Sequence, residues 1–323
     1  MELLLVGSGP MAIEYTKALQ AMGLDVKVVG RGADSAESFT QATGLPVQTG
    51  GVEGWLKTNR PIPPKAIIAV GEMSLGRIAF HLLESGVNSL LVEKPGAATF
   101  QEICDLHRLA KERNAEIYVA YNRRFYSSVL KAREFIREDG GISSFHFEFT
   151  EWSHVVQSLQ KEPGVKEGWF LHNSTHVIDL AFYLGGKPRK LSCYTTGGLD
   201  WHPAASVFSG AGISENGALF SYHANWAAPG RWSVECLTKQ RRLIFRPLEK
   251  LQVQAIGTVN ITGVDLDDKL DREFKPGLYR QIEAFMTGAS ENLCGIQEQA
   301  EMADVYSKML LEACPPSSSS CQF

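Results

Sequence analysis

The sequence predicts an α/β protein of two domains, a doubly wound parallel domain followed by an α/β domain built on a mostly antiparallel sheet. Three observations carry this prediction. Short apolar runs alternate with helical segments over the first 120 residues. A glycine turn joins the first of these runs to the first helix. Beyond residue 120 the texture changes to closely spaced strand-like runs with few helices between them.

The elements follow in order. Leu3 to Val6 is an apolar run of buried-strand length, and Met11, Tyr15, Ala18, Leu19 and Met22 then recur at helical spacing. Gly23 ends that helix, and Val26 to Val29 forms a second strand, completing a right-handed βαβ unit. A short helix is expected over Ser35 to Ala42 and a strand over Ala66 to Val70. A helix containing Ile78 to Leu83 and a strand over Leu90 to Glu93 come next. The helix Phe100 to Arg113 and the strand Ile117 to Ala120 complete the set. Residues 1–120 therefore read as one domain and residues 121–313 as a second, with 314–323 a disordered tail rich in Pro and Ser. In the second domain a helix is expected near 127–138 and an aromatic-rich strand from Ile142 to Trp152. A helix containing Ile178 to Leu184 follows, then an antiparallel sheet from about 189 to 265, and helices over 277–287 and 296–312.

Composition narrows the function. The chain has 323 residues, 44% hydrophobic and 21% charged, with a formal net charge of −4. There is no cationic excess to hold a phosphate backbone, so a nucleic-acid partner is not expected. No apolar run approaches membrane-spanning length, and the N-terminus lacks the basic lead of a signal peptide. The six cysteines form no CxxC pair, which suits a reducing, cytoplasmic location.

The glycine turn is Gly7-Ser8-Gly9-Pro10-Met11-Ala12, after a strand and opening a helix. In this pattern the first glycine permits the tight turn and the second lets a pyrophosphate approach the backbone. The third position needs a small residue where helix meets sheet, a place Ala12 fills. The free N–H groups of the helix start add an anion site. The expected ligand is a dinucleotide. At the end of the second strand, where NAD sites carry an acid, this chain has Arg31, with Ser35 close by. Arginine suits a 2′-phosphate, so NADP is favoured over NAD, with Asp34 as the competing acid.

Three segments resemble the family of glucose–fructose oxidoreductase and inositol dehydrogenase (Gfo/Idh/MocA). They are the glycine turn, Glu93-Lys94-Pro95 at the end of a later strand, and His176-Val177-Ile178-Asp179 opening a helix in the second domain. Tyr121-Asn122-Arg123-Arg124-Phe125 is similar to a further family segment. The resemblance implies a Rossmann domain, a second domain on a broad open sheet, and pairing of subunits into a homodimer or homotetramer. It implies hydride transfer between a nicotinamide and a hydroxyl or ketone carbon of a sugar, cyclitol or sugar derivative. It also implies catalytic roles for Lys94 and His176, with Pro95 following a bond that is often cis, and Glu93 is expected to orient the lysine or the nicotinamide side.

The sequence departs from the family at His172, where members commonly carry Asp. His172 is a further catalytic candidate that binds substrate, shuttles the proton, or marks altered chemistry. The His172/His176 pair lacks an internal Glu and a third ligand, so no metal site is read. Gly7, Ser8, Gly9, Pro10, Met11, Arg31, Glu93, Lys94, Pro95 and Asn122 are the cofactor candidates. The expected substrate wall is polar and aromatic: Lys94, Tyr121, Arg123, Trp152, Trp169, His172, Asn173, Thr175, His176 and Trp226, with Arg231, Lys275 and Tyr279 as further candidates. Two alternatives stand beside the dehydrogenase reading. One is a dinucleotide-binding regulator without turnover; the other is a redox-cycling enzyme that retains its cofactor for epimerisation or elimination.

Overall fold

The structure, a computed structural model, describes residues 3–58 and 61–310. The chain forms two compact units. One is the chain up to Tyr126 together with Asp268–Ala300. The other is Ser127–Asp267 with the chain from Glu301 onward. The change of texture near residue 120 therefore falls a few residues before the contact boundary, and a later segment returns to the first unit. The tail at 314–323 lies outside the described residues.

The first unit opens with β1 (Leu3–Val6), α1 (Pro10–Ala21), β2 (Val26–Val29) and α2 (Ala33–Thr43). Then come β3 (Val47–Gln48), α3 (Val52–Thr58), β4 (Lys65–Ile68), α4 (Leu75–Glu84), β5 (Ser89–Glu93), α5 (Phe100–Arg113) and β6 (Glu116–Ala120). In the second unit the chain forms α6 (Ser127–Glu138), β7 (Ser144–Glu148), α7 (Ser153–Val156) and α8 (Thr175–Gly185). There follow β8 (Pro188–Thr196), β9 (Val207–Ser214), β10 (Leu219–Asn225), β11 (Ser233–Leu237), β12 (Arg241–Phe245), β13 (Gln252–Ala255) and β14 (Ile261–Gly263). Back in the first unit lie α9 (Lys269–Glu273), α10 (Leu278–Thr287) and β15 (Cys294–Gly295). The last helix, α11 (Ile296–Leu310), begins in the first unit, and its residues from Glu301 belong to the second.

The first sheet has the order β15-β6-β5-β4-β1-β2-β3, parallel throughout except for β15 against β6. The chain reverses direction across the sheet between β1 and β4. That break is where ligands bind in doubly wound folds, beyond the carboxyl ends of the strands. Leu3, Leu5, Ile67 and Leu91 are fully buried in this unit. The late segment completes the same core with Leu278, Ile282 and Phe285. Sequence periodicity shows α10 as a helix but not the unit that it joins.

The second sheet has the order β14-β13-β12-β11-β7-β10-β9-β8. It is antiparallel except where β10 runs parallel to β7. One face packs on α8 through Phe145, Phe147, Phe182 and Phe220, with edge-to-face ring contacts between Phe182 and the other three. Gly185 is required there, because a Cβ would lie 2.2 Å from the Phe145 ring. Because β7 and β10 are parallel and β11 is antiparallel to β7, the residues after β7, after β10 and before β11 meet at one end of the sheet.

Candidate active site

In the first unit the glycine turn has the backbone its residues dictate. Gly7 has φ +129°, and a Cβ on it would sit 2.1 Å from the Ala69 carbonyl oxygen, so only glycine fits. Gly9 is different. It precedes α1 with an ordinary φ of −87°, and a Cβ there would meet nothing within 4 Å. No side chain caps α1, and Pro10 occupies its first turn, where a missing N–H costs nothing. Open space over Gly9 and an uncapped helix start fit a pyrophosphate. Met11 is half-buried against the core of the unit.

At the end of β2, Gly30 passes so close to Ser8 that a Cβ would lie 2.7 Å from its Oγ. Ser8 Oγ and Ser35 Oγ are 2.9 Å apart, which ties the glycine turn to the first turn of α2. Arg31 is exposed between Gly30 and Gly32, immediately before α2, whose start also has no side-chain cap. Asp34 lies three residues beyond Arg31, in the first turn of the helix.

At the carboxyl end of β5 stand Glu93, Lys94 and Pro95, and the Lys94–Pro95 bond is cis. Tyr15, fully buried on α1, donates a 2.8 Å hydrogen bond to Glu93 Oε1. Burial pushes the Glu93 carboxyl up, while the Lys94 charge, the Tyr15 hydrogen bond and the Lys275 charge pull it down. Burial and the Glu93 charge push the Tyr15 phenol well up, so it remains a donor. Glu93 thus brings Lys94 and Lys275 around one carboxylate.

The segment Tyr121 to Phe125 is held from the returning segment. Gln299 Nε2 donates to the Pro95 carbonyl at 2.9 Å and to Tyr121 Oη at 3.0 Å. Gln281, with its side-chain carbonyl turned inward, accepts from the Tyr121 and Asn122 backbone N–H groups at 3.2 Å. Asn122 Nδ2 donates to the Pro276 carbonyl at 2.8 Å, and Arg124 pairs with Glu298 at 2.8 Å. Tyr121 and Asn122 are therefore buried supports of the Lys94–Pro95 turn and of the approach to α10. Arg123 is half-buried, with its guanidinium over the Tyr126 ring.

In the second unit His172 lies in a wide π-type turn, Phe170–Ser174, that leads into α8. Such turns recur at functional sites. The His172 ring is buried. Its Nδ1 is 3.1 Å from the Val165 carbonyl, and it packs so closely on Gly168 that a Cβ there would lie 2.6 Å from Cε1. His176 is buried on the first turn of α8, with its ring 6.0 Å from that of Trp232. The two histidines thus have different neighbours. Thr175 is buried, and its hydroxyl donates back to the Leu171 carbonyl.

Glu151 was not read from the sequence. It is 2% exposed, one turn of chain beyond β7. Its Oε1 accepts from Ser174 Oγ at 2.8 Å, Asn173 Nδ2 at 3.0 Å and Trp232 Nε1 at 3.3 Å. Its Oε2 lies 3.4 Å from Arg231 Nη1. Burial pushes this carboxyl up, opposed by Ser174, Arg231 and Asn173. Only the donors' convergence reveals the residue, and they come from distant stretches of sequence.

The tryptophans divide. Trp226 is 1% exposed, stacks on Trp201 at 5.6 Å and donates to the Phe149 carbonyl. Trp169 is buried edge-on against Trp201. Trp152 is 48% exposed.

A model of an oxidoreductase family with an NAD-binding Rossmann fold, Gfo/Idh/MocA, matches residues 1–121. This domain belongs to the Gfo/Idh/MocA family. The scyllo-inositol 2-dehydrogenase (NADP(+)) of Bacillus subtilis (strain 168) is 27% identical over 106 residues, which span 32% of this chain and 30% of that protein. The fold likeness runs through the second unit as well. A levoglucosan dehydrogenase in complex with NADH and L-sorbose superposes with a TM-score of 0.77 at 20% identity, covering 97% of this chain and 96% of its own. The UDP-N-acetylglucosamine 3-dehydrogenase GnnA of Acidithiobacillus ferrooxidans gives 0.74 at 15% identity, covering 96% and 97%. At these identities the shared property is the fold. Among the described residues no helix is long and apolar enough to cross a membrane.

Proposed function

We propose that the protein is an NAD(P)-dependent oxidoreductase that moves hydride to or from a hydroxyl or ketone carbon of a sugar, cyclitol or sugar derivative. The observation that carries this reading is Lys94. It stands between half-buried Glu93 and a cis proline, at the carboxyl edge of a family Rossmann sheet whose glycine turn has room for a pyrophosphate. The relatives named for inositol, levoglucosan and UDP-N-acetylglucosamine support a polyhydroxylated substrate.

Gly7, Ser8, Gly9, Pro10 and Met11 hold the dinucleotide through backbone N–H groups and the α1 start, with Pro95 and Asn122 supporting the nicotinamide side. When bound, the nicotinamide supplies the hydride donor or acceptor. Lys94 hydrogen-bonds the substrate oxygen and takes or returns its proton, and Glu93, set by Tyr15, orients the lysine. His176 serves as a second acid or base, because an imidazole titrates near working pH. His172, turned onto Val165 and Gly168, acts by shaping the turn that presents His176. NADP is the preferred cofactor. Arg31, Ser35 and the uncapped α2 start form the donor set that a 2′-phosphate needs. The protein works in the cytoplasm as a homodimer or homotetramer, and exposed Tyr194, Leu219 and Ile261 on the strands of the second sheet support the pairing.

The test is Lys94→Met. Dinucleotide binding should persist, while hydride transfer with a responsive sugar or cyclitol falls by about 10²–10⁴-fold. Undiminished turnover would remove Lys94 from the chemistry. Arg31→Ser should weaken NADPH binding about tenfold or more and leave NADH binding within about twofold. Equal effects on both cofactors would overturn the NADP assignment.

A further inference from the structure

Residues after β7, after β10 and before β11 meet at one end of the second sheet, and an arginine is mounted there in an unusual way. The Arg231 guanidinium lies 4.4 Å from the Trp232 ring centroid and 4.8 Å from that of Trp152. Its side chain is 44% exposed, whereas its polar partner Glu151 is 2% exposed. The pair is a single long contact of 3.4 Å, not a close two-pronged one. Ser174, Asn173 and Trp232 all donate to Oε1 of Glu151, and among the described residues Arg231 commits one nitrogen to Oε2 and makes no other hydrogen bond. Trp152 is itself fixed, since its Nε1 donates to the Gly230 carbonyl at 3.0 Å. Gly230 allows that approach, because a Cβ there would lie 2.4 Å from Glu148 Oε1 and 2.8 Å from Thr150 Cγ2.

A guanidinium has five N–H donors in a rigid fork. Here two indoles and one buried carboxylate hold the group, which limits the ordering cost of binding, while the side chain stays 44% exposed and bonds through one nitrogen only. Trp232, which flanks Arg231, also flanks His176. The open donors therefore belong to the same cluster as the candidate acid or base, and exposed Trp152 offers an aromatic face beside them.

We propose that Arg231 is a specificity-determining residue that binds an oxyanion substituent, a carboxylate or a phosphate, on the polyhydroxylated substrate. The substrate class is then an acidic sugar derivative such as a uronate, an aldonate or a sugar phosphate. This rests on the oxidoreductase reading only for the word substrate; the anion subsite itself stands on the geometry of the second unit.

The test uses the full chain and reads binding separately from turnover. Intrinsic tryptophan fluorescence is titrated with D-glucuronate, D-glucose 6-phosphate and D-glucose, for the unaltered protein and for Arg231→Gln and Arg231→Lys. An anionic sugar should give a saturable change at least about tenfold tighter than D-glucose, and Arg231→Gln should weaken it about ten- to hundredfold. Arg231→Lys should recover only part, since an ammonium keeps the charge and loses the fork. The anion that binds tighter tells carboxylate from phosphate. No preference for either anion over D-glucose, or an equal loss for all three sugars in Arg231→Gln, overturns the proposal. Circular dichroism and melting of the variants establish that the fold is kept. If Arg231-dependent anion binding is found without hydride transfer to any sugar, the subsite is upheld and the oxidoreductase reading fails.

Discussion

Two carboxylates stand out at the scale of residues, Glu93 half-buried and Glu151 enclosed. Glu93 accepts from buried Tyr15, and Glu151 gathers four donors from two stretches of chain. Glu151 makes a stability prediction whose sign follows from its burial. Its native pKa is raised, so the folded protein binds that proton more tightly than the unfolded chain, whose carboxyl titrates near about 4.3. The stability contributed by the bound proton is fully present below the unfolded value and is lost as pH rises through the raised native value. Glu151→Gln removes the titration and keeps an acceptor for Ser174, Asn173 and Trp232. Melting temperatures of both proteins across pH 4–8 should show the unaltered protein losing ground to the variant as pH rises, then levelling. A difference that is constant over that range would mean that Glu151 does not titrate differently on folding.

The scale of elements separates glycines that shape the chain from glycines that make room for a ligand. Gly7 sits at φ +129° under the Ala69 carbonyl, while Gly9 has an ordinary conformation and empty space where a Cβ would go. Gly7→Ala should cost several kcal/mol, roughly 2–4, in denaturant unfolding, because the added methyl collides with backbone and the φ is strained. Gly9→Ala should leave stability within about 0.5 kcal/mol but weaken dinucleotide binding by about tenfold or more, since its methyl enters the space a pyrophosphate needs. If Gly9→Ala destabilised the fold and spared binding, the turn would be structural. This strand–turn–helix was legible because its signals are local: an apolar run, a glycine spacing and a 3.6-residue period. The helix Phe100–Arg113 was legible for the same reason, and its Thr99 cap accepts from the Glu102 N–H. β3 and β15 are two residues each, too short for any period to register. The parallel pairing of β10 with β7 leaves no local trace, since alternation looks the same in either direction. His172 and His176 were found by spacing, but the π-type turn that gives them separate neighbours is a tertiary outcome. Glu151 reads in the sequence as one more acid between aromatics.

For the whole molecule, the family match and the folding unit do not share a boundary. The match ends at residue 121, yet the core of the first unit is completed by Leu278, Ile282 and Phe285 from α10. The returning segment also secures the turn at Lys94, through Gln299 on the Pro95 carbonyl and Glu298 on Arg124. Fully burying a large aliphatic or aromatic side chain is worth about 1.5–3 kcal/mol, so these three together contribute roughly 5–9 kcal/mol. Total stabilities of about 5–15 kcal/mol leave little without them. A chain cut after Tyr126 should therefore lose cooperative unfolding, expose apolar surface to a hydrophobic dye and fail to bind dinucleotide, although it contains the whole glycine turn and Lys94. Joining residues 268–300 to that fragment through a flexible Gly/Ser linker should restore a cooperative melt and dinucleotide binding. Tight binding by the shorter fragment would show that α10 merely covers a nucleotide domain that is complete without it. Binding regained only with the returning segment would make the residues after 267 part of the nucleotide machinery, because they hold the turn on which Lys94 stands.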